Sequence, residues 1–238
     1  MKKIKRYLSC FLAAAMLVGI FTFSAGAAVV TPLSAPRNCR FSSWSNSSFT
    51  SCKIKWNSVS GANKYNVQVT LTNGKAVKTI RTSSTSCTIK NLDDDHVYKV
   101  KVSALYVDPA TGQTVRTSQF SNTAYIVPMP TELKMTITNS DHMKVKLEWN
   151  PIYGSNGYNV YLCTDDPTEG DWTWNTSSEK KATATSATIR KYQRKNLKKY
   201  ETYYVRIVTR RRNGNGDFVS VPVPGSYYNA GFQMMFIR

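Results

Sequence analysis

Histidine is almost missing from this chain: His96 and His142 are the only two in 238 residues. Neither stands at zinc-ligand spacing from a cysteine, and neither joins a nucleophile and a carboxylate in a recurring motif. No glycine-rich phosphate loop is present either. No catalytic, cofactor-binding or metal-ligating residue is assigned on these grounds, no cofactor is expected, and both histidines are expected at the surface. The acidic runs Asp93-Asp94-Asp95 and Asp165-Asp166-x-x-Glu169-x-Asp171 lack the ligand spacing of a calcium loop and read as solvated turns. Acidic residues are scarce overall, 14 against 32 Lys and Arg, for a net charge of +18. Such an excess bears on partners and solubility rather than on fold. Apolar spacings of three and four, the mark of amphipathic helices, are missing beyond the first 27 residues.

The one long apolar run opens the chain. Lys2, Lys3, Lys5 and Arg6 precede residues 8–23, which are apolar with little interruption, and Ala25-Gly26-Ala27 follows. This is the layout of a secretory leader cut after Ala27. The run is shorter than the ~20 residues that span a bilayer. Loss of residues 1–27 removes four of the 32 basic residues and no acidic one, leaving a net +14. The mature chain is therefore expected to be secreted and extracellular, with no membrane span and surface attachment only through binding. Its expected partners are an extracellular anionic polymer, a polysaccharide or a surface protein. Nucleic acid is not expected for an exported chain.

What is plentiful is alternation. Tyr98, Val100, Val102 and Ala104 alternate with Lys99, Lys101 and Ser103. Tyr203, Val205, Ile207 and Thr209 alternate with Tyr204, Arg206 and Val208. A period of two buries one face of an antiparallel strand and wets the other. The chain also repeats itself. Trp56-Asn57, Gly61, Asn63 and Tyr65-Asn66-Val67 recur 93 residues later as Trp149-Asn150, Gly154, Asn156 and Tyr158-Asn159-Val160. Thr85 to Ile89 recurs as Thr185 to Ile189 at an offset of 100, and Leu92, Tyr98 and Val100 recur as Leu197, Tyr203 and Val205 at 105. The growing offset places seven and then five extra residues in the second copy. Insertions belong in surface loops, so 164–181 and 191–195 are expected to be loops. Val127-Pro128-Met129-Pro130 marks the boundary, a short linker stiffened by proline.

The repeat unit resembles the fibronectin type III domain. The matching residues are Pro36, Trp56, Tyr65-x-Val67, Leu92 and Tyr98-x-Val100-x-Val102, and again Pro130, Trp149, Tyr158-x-Val160, Leu197 and Tyr203-x-Val205-x-Ile207. The resemblance implies an all-β chain of two tandem seven-stranded, immunoglobulin-like β-sandwiches, at residues 31–127 and 130–238. It implies a structural core on Trp56, Tyr65, Leu92 and Tyr98 in one copy and Trp149, Tyr158, Leu197 and Tyr203 in the other. It also implies a tyrosine corner at Tyr98 and Tyr203, where the phenol bonds back to nearby backbone.

Four cysteines follow the leader. Cys39, Cys52 and Cys87 stand where the other copy has Leu133, Val145 and Ala187, all apolar. They read as buried thiols behaving as small hydrophobes, with a disulfide through Cys52 as the alternative. Cys163 falls on the outward alternation of its strand and reads as a lone thiol. Trp172-x-Trp174 lies within the first insertion, where the shared core does not require it, so these rings are candidates for stacking on a ligand. Arg210-Arg211-Arg212, leading into the hairpin signal Asn213-Gly214, are candidates for an anionic ligand. A second basic group, Arg190, Lys191, Arg194, Lys195, Lys198 and Lys199, is expected at the opposite end of the sandwich. No Arg-Gly-Asp occurs, so an integrin motif does not carry over. The expected function is a secreted, non-catalytic binding, adhesion or spacer module. The alternative is a structural subunit that self-associates, or docks on a larger secreted enzyme, through the apolar last strand at 230–237.

Overall fold

The computed structural model describes residues 31–138, 143–164, 175–219 and 233–236. The expected leader, His142, the acidic run at 165–171 and both Trp172 and Trp174 lie outside them. Among the described residues the chain is all-β. The strands are β1 Arg40–Trp44, β2 Cys52–Lys55, β3 Lys64–Leu71, β4 Ala76–Thr82, β5 Ser86–Ile89, β6 Tyr98–Val107, β7 Thr114–Thr117 and β8 Ala124–Ile126. They continue as β9 Leu133–Thr138, β10 Lys144–Trp149, β11 Gly157–Cys163, β12 Asn175–Lys180, β13 Ser186–Ile189, β14 Lys191–Tyr192, β15 Lys195–Asn196, β16 Thr202–Arg210 and β17 Gln233–Phe236.

The strands assemble twice into the same pattern. A three-stranded sheet β1-β2-β5 faces a sheet ordered β4-β3-β6, with β7 and β8 both on the far side of β6. Further along, β9-β10-β13 recurs with β12-β11-β16-β17. Register repeats residue by residue. Cys52 pairs with Ile89 and Ile54 with Cys87, as Val145 pairs with Ile189 and Leu147 with Ala187. Tyr65 pairs with Ala104 and Val67 with Val102, as Tyr158 pairs with Thr209 and Val160 with Ile207. The side-chain period of two makes this identity strict, because a one-residue slip would turn each buried residue outward.

Each pair of sheets closes on its own cluster of buried side chains. The first includes Trp56, Tyr65, Leu92 and Tyr98, and the second Trp149, Tyr158, Leu197 and Tyr203. The expected tyrosine corners are present. Tyr98 Oη accepts from Asp93 N at 2.8 Å, and Tyr203 Oη accepts from Lys198 N at 3.1 Å. A second tyrosine bond recurs as well. Tyr65 Oη accepts from Val59 N at 3.0 Å and Tyr158 Oη from Ile152 N at 2.7 Å. The gap between β7 and β8 is bridged by hydroxyls: Ser118 Oγ accepts from Ala104 N at 2.8 Å and Ser121 Oγ from Val102 N at 3.0 Å.

Several expectations are corrected. The stretch 164–181 is not all loop, since β12 pairs along β11 from Tyr158↔Lys180 to Leu162↔Asn175. The stretch 191–195 folds into the hairpin β14–β15, because Gln193 and Arg194 adopt φ of 48° and 67°, the left-handed turn that suits a two-residue connection. Asn213-Gly214 locates a turn but not a two-residue one. The Asn213 side chain accepts from Asn215 N and Asp217 N, and the left-handed residue is Gly216.

All four cysteines are buried thiols. Cys163 is as fully enclosed as the core although its register points it outward, so alternation alone misjudged its exposure. Burial pushes the Cys52 thiol from 9.0 up to about 12, helped by the neighbouring Cys87, and burial likewise lifts Tyr98 from 10.0 to about 12. Both groups bind their proton more tightly when folded. Stability is therefore full below pH ~9 and falls as pH rises toward 12. Replacing Cys52 with the valine of the other copy should change stability at pH 7 by less than about 1.5 kcal/mol. It should also flatten the alkaline loss above pH ~9 relative to the native chain. Urea midpoints of both proteins across pH 7–11 check this.

Candidate functional site

The clearest built feature outside the cores lies where the two clusters meet. The linker threads into both: Val127 belongs to the second cluster and Met129 to the first, and the prolines between and after them are buried. Beside it, the turn before β6 docks on the loop between β10 and β11. Tyr153 N donates to Asp95 O at 2.6 Å and Val97 N to Tyr153 O at 2.9 Å, a short parallel bridge centred on His96 and Tyr153. The His96 ring lies 5.1 Å from that of Tyr153, and its Nδ1 meets Asp95 Oδ1. Thr131 Oγ1 donates to Asp94 Oδ2 at 2.9 Å.

The acidic turn and His96, expected in solvent, are thus part of a junction. Close approach there needs Gly154, at φ 82°. A Cβ on it would stand 2.6 Å from Thr72 Oγ1. The functional meaning of Gly61 and Gly154 in the repeat was not visible, because Gly61 has ordinary space around it while Gly154 does not.

The arginine triplet is spread over three structural tasks. Arg210 pairs with Glu179 and donates to Lys180 O. Arg211 donates to Gly154 O at 2.9 Å and lies 5.3 Å over the Tyr125 ring, closing the junction. Arg212 stacks 4.0 Å over Phe218 and donates to Gly216 O. Each guanidinium is engaged within the chain, which long side chains read as charge alone would not reveal.

The other basic group stands on β13–β16. Arg190, Lys191, Arg194, Lys195, Lys198 and Lys199 are all exposed, at the opposite end of β16 from Arg210. The hairpin that carries them is pinned by Leu197, 5% exposed, by Leu197 N donating to Arg190 O at 3.1 Å, and by Tyr192 packing edge-on against Tyr203. Tyr200 sits beside it, 77% exposed, at φ 62°.

Clefts open on the sheet faces among the described residues. One of about 550 Å³ runs along β9 and β10 and contains Glu132 and Glu148. Lys146 donates to Glu148 Oε1 at 2.7 Å and holds its carboxyl below the usual glutamate range, an ionised partner rather than a proton donor. Another, about 420 Å³, lies over β11 and β16, where Tyr161, Arg206, Arg210 and Phe218 contribute, and its one lining carboxylate, Glu179, is held by Arg210.

This geometry defines an immunoglobulin-like β-sandwich protein. Residues 34–117 match the fibronectin type III domain family, so the chain carries a fibronectin type III module there. Modules of this family are commonly non-catalytic binders or spacers. The FN1–FN3 domains of chicken CNTN1 are 18% identical, with a TM-score of 0.32, covering 87% of this chain and 66% of that one. A two-domain fibronectin type III segment of chicken tenascin is 16% identical, with a TM-score of 0.33, covering 73% and 90%. No curated protein matches the chain.

Gly154→Val should pry the junction apart while leaving the Trp56–Tyr65 and Trp149–Tyr158 contacts in place. Amide exchange at Val97 and Tyr153 should quicken at least tenfold, while the thermal midpoint moves by less than a few degrees. Unchanged exchange at those two amides would show that the junction does not depend on this close approach.

Proposed function

We propose that the chain is an exported, non-catalytic spacer and binding module, with residues 1–27 as leader and folded units at 31–127 and 130–238. The carrying observation is the linker whose Val127 and Met129 are exchanged between the two clusters. A connection buried on both sides holds modules in a fixed relation, and a spacer needs that, whereas independent domains are joined by exposed flexible chain. The basic surface suits an extracellular anionic polymer, polysaccharide or surface protein as partner, with Trp172 and Trp174 as further candidate contacts. A second reading is favoured by β17, which is the edge strand of its sheet among the described residues. In that case the chain self-associates or docks on a larger secreted enzyme.

In the first reading the exported protein begins at Ala28, and residual dipolar couplings from both units fit one alignment tensor. Separate tensors, or a retained leader, contradict it. A dimer that strengthens with concentration and is lost on Met234→Pro supports the second.

A further inference from the structure

Both copies use the end of the fold before the sixth strand, and they use it with opposite chemistry. In the first, the turn Asp93-Asp94-Asp95 is spent on the junction with Tyr153 and Thr131. In the second, the same place carries the five-residue insertion, and six of the ten residues from Arg190 to Lys199 are Lys or Arg with no acid among them. Among the described residues, Glu201 pairs with Lys198 at 3.6 Å and is half-exposed. These charges do not ride on loose chain. Leu197, Tyr192 and the Tyr203 corner anchor the hairpin, so its cations are presented without a large ordering cost on binding.

Tyr200 adds a second, independent observation. A bulky residue at φ 62° is strained by roughly 1–2 kcal/mol. Yet this one gains no burial for it, at 77% exposure. The backbone holds an aromatic face in solvent directly after Lys198 and Lys199. Backbone strain clusters at ligand-contacting sites, and tyrosine is enriched at interfaces.

We propose that this tip, from Arg190 to Tyr200, is a docking site for an acidic polysaccharide, with carboxylates of the polymer spaced along the lysines and arginines and a sugar ring stacked on Tyr200. The assignment rests on the reading of the chain as an exported binding module, and it moves the anionic site away from Arg210, Arg211 and Arg212, whose guanidinium groups serve the fold. Four of the six cations are lysines, compact point charges that suit spaced carboxylates, whereas bidentate phosphate recognition favours arginine. That favours a polyuronate over a nucleic acid.

The test measures binding of the mature chain to polygalacturonate, to single-stranded DNA and to neutral dextran at several salt concentrations. Polygalacturonate should bind most tightly, and its affinity should fall as salt rises. K191Q/R194Q/K195Q/K199Q should weaken it at least tenfold. K55Q/K75Q/K90Q/K101Q, which removes the same charge from exposed positions elsewhere, should weaken it less than threefold. Tyr200→Gly should weaken binding several-fold while leaving the thermal midpoint unchanged or raised, since glycine accepts that φ freely. Equal losses in the two quadruple variants would overturn the site while leaving the exported-module reading intact. Tighter binding to DNA would overturn the ligand class, and no binding to polygalacturonate would overturn the proposal outright.

Discussion

The structure depends on one aromatic contact made twice. Trp56 meets Tyr65 edge-on at 5.5 Å, and Trp149 meets Tyr158 at 5.4 Å with nearly the same interplanar angle. The indole comes from one sheet and the phenol from the other, so the contact sets how the two sheets face each other. Such a pair contributes about 0.5–1.5 kcal/mol beyond its buried area. The phenol then reaches the backbone of the following loop, at Val59 or Ile152. Both indole N–H groups stay buried without a hydrogen-bond partner among the described residues. Apolar packing outweighs that orphaned donor in both copies, at about 1–3 kcal/mol each.

Because Ile152 is held this way, the next two residues are placed as well. Tyr153 projects from the loop that the Tyr158 hydroxyl fixes and meets the acidic turn that the Tyr98 hydroxyl fixes, while Gly154 beside it lies against Thr72. The junction is thus assembled from two loops, each tied to its own core by a tyrosine. Its side chains add contact of modest strength: a guanidinium over Tyr125, a histidine on Tyr153, a hydroxyl on Asp94. Each is small on its own, and the buried linker is what makes them act together.

Much of this was legible from residues alone. The offsets of 93, 100 and 105 reproduce the pairing of Ile54 with Cys87 and of Val67 with Val102 in the second copy, because register follows the apolar alternation. The tyrosine corners at Tyr98 and Tyr203 followed from the resemblance to the fibronectin type III domain, not from alternation. What alternation could not supply was environment. Cys163 faces outward and is nonetheless enclosed. Asp93-Asp94-Asp95 reads as a solvated turn because its partner, Tyr153, is distant in sequence. The bond from Tyr65 to Val59 had a signal, an apolar residue six positions before a repeated Tyr-Asn-Val, that was open to reading in both copies.

The central claim is that each Trp–Tyr pair centres a sandwich with its own core. Hydrogen exchange of the Trp56→Phe variant tests it most directly. The account predicts faster exchange in β1 to β6 with protection kept in β10, β11 and β16. Equal loss of protection in both sets of strands would contradict it, since a single shared core would then be carrying the fold.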